Sequence, residues 1–142
     1  SKEEFEKNME LLFHNNNACD PSNDSNNYPS NDSSNFDVCM LSYNLIKSEP
    51  HPNTNIKFLD KVIEAQTASG YIIKNSIYDK LIELYEWAIP LLESTKQHWI
   101  YSNDQIWKKL QKNNKWYCFT TRIGKQRPSY SDNGETWADI KW

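Results

Sequence analysis

The spacing of apolar side chains divides this chain into segments before any other property is considered. In residues 2–13, Phe5, Met9, Leu12 and Phe13 recur at helical intervals, with Glu3 and Glu4 placed for a first turn. This predicts a short amphipathic helix within 1–14, marginal in isolation at that length. Residues 36–47 put Val38, Leu41 and Leu45 on one face at helical spacing, and Pro50 and Pro52 stop that segment. Thr54 is placed to cap a further helix carrying Ile56, Leu59, Val62 and Ile63, which Gly70 ends. Tyr71-Ile72-Ile73 is then a short β-prone run.

Residues 76–94 give the clearest helix. Ser76 with Asp79 three residues later has the form of a capping box. Ile77, Leu81, Leu84, Ala88 and Leu91 make one stripe, and Tyr78, Ile82, Tyr85 and Ile89 make a second beside it. Two adjoining stripes predict burial over a wide arc, and Pro90 predicts a kink or restart. From Lys115 the period changes. Trp116, Cys118 and Thr120 alternate with Tyr117 and Phe119, an aromatic strand pattern. Ile123-Gly124-Lys125 and Ser131-Asp132-Asn133-Gly134 read as turns, and Thr136 to Trp142 as a further strand. A strand at the last residue, and Ser1 rather than Met at the first, lead us to expect a piece of a longer protein.

Between the first helix and the rest lies a compositional break. Residues 15–35 hold eight Asn, five Ser and three Asp, interrupted by Pro21 and Pro29. So polar a tract has little to bury against the entropy of ordering, and reads as a disordered low-complexity linker. The expected organisation is a short amphipathic helix (1–14), a linker (15–35) and an α+β domain (36–142). The 142 residues suffice for one such core. The longest apolar run, Ala88 to Leu92, is too short to cross a bilayer, so no membrane association is expected.

Charge is split where the total of −3 suggests balance. Residues 1–100 carry 8 Lys and 15 acids, a net of −7, whereas residues 101–142 carry 8 basic residues and 4 acids, a net of +4. Between Tyr101 and Arg127 stand seven basic residues and a single acid, Asp104. Such asymmetry points to an anionic partner.

Familiar catalytic chemistry is poorly represented. His14, His51 and His98 sit in no nucleophile elbow or Cys-His arrangement. Cys19, Cys39 and Cys118 show neither Cys-x-x-Cys spacing nor an even count for a disulfide scaffold. Three glycines, Gly70, Gly124 and Gly134, build no phosphate-cradling loop. The sequence therefore predicts no enzyme, no catalytic residue, no metal and no cofactor. A pocket joining His98 to Cys118 would reopen the question.

The basic third carries a resemblance. The run Lys115-Trp116-Tyr117-Cys118-Phe119-Thr120-Thr121-Arg122-Ile123-Gly124-Lys125 resembles a signature of the plant NAC transcription-factor domain. There a Trp-Tyr-Phe-Phe strand is followed by Arg and then by Lys in a turn. Asp104 to Leu110 is similar to the family's Asp-Pro-Trp-x-Leu segment, with Ile106 at the Pro. Asn133 to Trp137 stands where the family has Gly-Tyr-Trp. The likeness covers about residues 100–142. The family's Pro-Pro-Gly-Phe-Arg-Phe opening is absent, and Ala138-Asp139-Ile140 replaces the Lys-Ala-Thr-Gly that follows its tryptophan.

The resemblance implies a twisted antiparallel sheet packed with helices, and a nuclear transcription regulator binding double-stranded DNA as a homodimer without a cofactor. Arg122 and Lys125 match the family's basic turn, and Arg127 fits by proximity. Trp107, Trp116, Tyr117 and Phe119 would be sheet core. With the lysine after Trp137 missing, phosphate contacts are expected rather than base reading. Lys108, Lys109, Arg122, Lys125 and Arg127 are the candidate DNA-binding residues. The rival expectation is a non-enzymatic protein-interaction module, with residues 2–13 as a tethered docking helix anchored by Phe5, Met9, Leu12 and Phe13.

Overall fold

The computed structural model describes residues 2–13, 35–124, 128–131 and 136–138. The expected linker up to residue 34, the turn at 132–134, and Lys125 and Arg127 lie outside them, as do the last residues of the expected final strand. The described chain is α+β. In order it comprises α1 (Lys2–Phe13), β1 (Val38–Pro50), β2 (Leu59–Ile73), a 3₁₀ turn (Asn75–Ile77) and α2 (Tyr78–Thr95). There follow the short helices α3 (His98–Tyr101), α4 (Asn103–Ile106) and α5 (Lys108–Gln111), then β3 (Trp116–Phe119), β4 (Ser129–Ser131) and β5 (Thr136–Ala138).

Two segments with helical spacing are strands. β1 and β2 form a long antiparallel hairpin from Val38↔Ile73 to Pro50↔Asp60. The physical reason lies in the register. Pairing steps from Ser48↔Val62 to Lys47↔Glu64, which leaves Ile63 over as a bulge. A bulge flips the side-chain parity, so Val62 and Ala65, three apart, face the same core. Leu59, also three from Val62, faces the other core. A coiled, bulged strand buried on both faces thus imitates helical spacing. Thr67 sits at a further irregularity, between Asn44↔Gln66 and Ser42↔Gly70, with φ 67°, an unusual setting for a β-branched residue. Its N–H donates to Asp104 Oδ2 at 3.0 Å, which ties the bulge to α4.

β3 closes the hairpin into a three-stranded ring. It runs parallel to the start of β1 (Val38↔Trp116, Met40↔Cys118) and antiparallel to the start of β2 (Leu59↔Phe119, Lys61↔Tyr117). The sheet is therefore mixed rather than antiparallel throughout. Strand alternation then divides the interior in two. Trp116 and Cys118 point with Val38 and Met40 into a core sealed by Ile77, Leu81, Leu84 and Ala88 from the 3₁₀ turn and α2, with Ile106 and Trp107. Tyr117 and Phe119 point with Cys39 and Leu59 into a second core, closed by Leu12 of α1 with Phe36 and Ile56. β4 and β5 pair separately as a two-stranded ribbon.

α2 forms where the periodicity predicts it and continues through Pro90 to Thr95 without restarting. Only one of its two stripes is buried. Tyr78, Ile82 and Ile89 are about half exposed, because the sheet covers one side of the helix and not the expected wide arc. The capping box does not form either. Ser76 Oγ donates instead to Asp37 Oδ1 at 2.6 Å, and the Lys115 N–H donates to Asp37 Oδ2 at 2.9 Å. Asp37 thereby joins the start of β1 to the helix and to the entry of β3. Among the described residues no helix is long and apolar enough to cross a membrane.

Candidate nucleic-acid interface

The segment 104–111 is tied to β2 by polar side chains that recur along it. Gln111 is fully buried, accepting from the Ala65 N–H at 2.8 Å and donating to the Ala65 carbonyl at 2.9 Å. Its amide thus satisfies both backbone groups of a strand residue, as a neighbouring strand would. One helical turn earlier, Lys108 Nζ pairs with Glu64 at 3.2 Å and donates to Gln66 Oε1 at 3.1 Å. Lys108 is a fastening between helix and sheet, and its charge is already partnered.

The other candidates have mixed positions. Lys109 is exposed, with its ammonium 3.8 Å from the centre of the Trp87 ring, a cation–π seat that leaves hydrogen-bond donors to solvent. Arg122 donates from Nη1 to the Tyr43 carbonyl at 3.2 Å and lies over the Tyr43 ring. It also lines a cavity of about 410 Å³ with Thr121 and Ile123, beside Lys2, Glu4, Phe5 and Asn8 of α1. Lys125 and Arg127 are outside the described residues, so of the five candidates only Lys108, Lys109 and Arg122 are placed. The aromatics Trp107, Trp116, Tyr117 and Phe119 are all buried, in line with a core role.

A tighter basic group lies at the turn between α5 and β3. Lys61, Lys112 and Lys115 line a shallow depression of about 430 Å³ with Asp37, Pro52, Asn113, Asn114 and Tyr117. The partners of these ammonium groups are mostly neutral. Lys61 Nζ donates to the Gln111 carbonyl at 3.0 Å and to the Asn114 carbonyl, and Lys115 Nζ donates to Asn35 Oδ1 at 2.5 Å. Lys80 joins from α2, donating to Asn114 Oδ1 at 2.6 Å. Burial holds Lys61 below the usual lysine value, while Asp37 and Glu49 pull it back up. Tyr117 of its wall packs against the His51 ring, the centroids 4.5 Å apart and the planes tilted by 38°. Burial lowers the His51 pKa, opposed by its contact with the backbone of Asn53.

Sequence reasoning placed Lys112 and Lys115 in the basic run without singling them out, and missed Lys61 altogether. Lys61 belongs to the acidic part of the chain and reaches the turn only because β2 pairs with β3. The cross-strand pair Lys61↔Tyr117 has no signature along the chain.

The groups weighed for catalysis stay apart in setting. Cys118 is buried in the core under α2, its thiol pushed up to about 11 chiefly by burial, whereas His98 is exposed on α3 against Trp99. Among the described residues no group of three or more His, Cys, Asp or Glu side chains is arranged to hold a metal ion. Comparison with known proteins finds no relative: no family model, no curated protein and no solved structure matches this chain.

Proposed function

We propose that this chain is a non-enzymatic DNA-binding domain that engages the phosphate backbone of double-stranded DNA. The observation that carries the reading is the convergence of Lys61, Lys112 and Lys115 on one depression, with Lys80 beside it, none of them within ion-pair distance of a carboxylate among the described residues. Ammonium groups held by neutral carbonyl and amide oxygens keep their full charge for a polyanion. Lys109, seated on Trp87, and Arg122, at a separate cavity beside α1, are further candidates for phosphate contact, and Lys125 and Arg127 belong to the same proposal from the sequence. Lys108, spent on Glu64, contributes to the scaffold instead. Work as a homodimeric transcription regulator in the nucleus is the setting implied by the resemblance and is part of this proposal.

Phosphate contacts give a characteristic salt dependence. Fluorescence anisotropy with a labelled duplex should show log K falling linearly with log salt, at roughly 0.9 per phosphate neutralised. Lys112→Ala with Lys115→Ala should flatten that slope by about 2 and weaken binding similarly for unrelated duplex sequences. Absence of binding at low salt, or an unchanged slope in the double variant, overturns the proposal.

A further inference from the structure

We propose that the groove occupied by α1 is a docking surface for an amphipathic helix of a partner protein, and that α1 is its built-in competitor. The groove is the second core of the fold. Cys39, Ile56, Leu59, Tyr117 and Phe119 present an apolar face of the closed sheet, and α1 lies across it. The fit is that of a helix in a groove: Phe5, Met9 and Leu12, spaced i, i+4 and i+7, are the residues that pack against it.

Three observations separate this seat from the permanent packing of α2. Leu12 is fully buried, but Phe5 and Met9 are only partly buried against the same core, so α1 contributes one complete anchor. The groove is incompletely filled at the N-terminal end of α1, where the cavity of about 410 Å³ opens beside Phe5 and Asn8. A helix with a bulkier apolar residue at the position of Asn8 would bury more. Finally, 21 residues of sequence stand between Phe13 and Asn35, whereas α2 follows β2 after a single 3₁₀ turn.

The chemistry of the partner follows from the rim. Arg122 lines the open end, and α1 meets that end with Glu4 on its own first turn. The fitting partner is therefore an amphipathic helix with acidic residues in its first turn and large apolar residues at i, i+4 and i+7. A second copy of this chain is a poor competitor. Its α1 is identical and leaves the same cavity open, so it gains no contact over the resident helix. A foreign helix prevails by filling the cavity that α1 leaves open.

The test uses the full chain and a fluorescein-labelled peptide of residues 1–14 as probe. Leu12→Asp in the full chain should empty the groove and raise affinity for the wild-type peptide at least tenfold over that of the unmodified chain. A peptide carrying Asn8→Leu should bind tighter than the wild-type peptide by several-fold, and one carrying Leu12→Asp should not bind. Should Leu12→Asp abolish the cooperative melt of the chain, the milder Met9→Ser takes its place, with the same order of affinities expected. Failure of every peptide to bind a folded, groove-emptied chain overturns the proposal. Dimerisation of the unmodified chain at micromolar concentration that Leu12→Asp abolishes, read by sedimentation, overturns it in favour of a second copy.

Discussion

The two faces of the three-stranded ring are made by alternate residues of the same strands, yet they are closed in different ways. Trp116 and Cys118 face α2, which follows β2 after a single 3₁₀ turn, and face α4 and α5, which run directly into β3. Tyr117 and Phe119 face α1, which reaches the sheet across 21 residues of chain. Comparable side chains are buried on both faces. The difference is in what must be undone to expose them: on one face the whole topology, on the other a single helix. One face is thus closed by elements that continue directly from the strands, and the other by a single helix from a distant part of the sequence.

Truncating a large side chain on each face is the strongest way to break that comparison. Trp116→Ala should cost about 3–5 kcal/mol, since the cavity forms among elements that cannot separate. Leu12→Ala should cost less, about 2 kcal/mol, the low end for a buried leucine, because only the packing of α1 on the sheet is lost. Urea unfolding of both variants measures the difference, and equal losses would make the two faces equivalent. Next in size is Gln111→Ala, which leaves the N–H and carbonyl of Ala65 unpaired in the interior. It should cost about 2–3 kcal/mol in the same experiment.

Cysteine chemistry sharpens the comparison, since each face holds one buried thiol. Burial pushes Cys39 up to about 12 and Cys118 up to about 11, from a usual value of 9.0. An acid whose folded value is raised contributes stability that is intact below the unfolded value and lost as pH rises through the folded one. The urea midpoint should therefore be insensitive to these thiols below pH 9 and fall as pH rises toward 11. In a Cys19→Ser background at pH 8, both thiols should resist a disulfide reagent. Adding Leu12→Asp should expose Cys39 alone, with Cys118 unaffected beneath α2. Simultaneous labelling of the two would mean that both faces open together.

The smallest effects concern the lysines, where the same distinction between fastening and surface applies. Lys108→Ala should lower stability by about 0.5–1 kcal/mol, as expected for a partly exposed ion pair with a supporting hydrogen bond, and leave the salt slope of DNA binding unchanged. Lys112→Ala should do the reverse, leaving the melt unchanged and flattening the slope by about 1. Thermal denaturation and anisotropy on the two variants read both quantities.

Helical periodicity by itself determined α1 and α2, because each buries one continuous stripe, and alternation determined β3, because it is short and free of bulges. The aromatic core residues Trp116 and Phe119 were legible for the same reason. Tertiary structure alone decided the rest. Leu59, Val62 and Ala65 carry helical spacing, but pairing with β1 and the bulge at Ile63 make that spacing part of a strand. Lys108 looked like a phosphate ligand until Glu64 and Gln66 came within reach, and Lys61 looked like nothing until β2 lay beside β3. The physical reason is common to all of these. Local sequence sets which face of an element is apolar, while the partner of a charge, and the parity of a bulged strand, depend on residues distant along the chain.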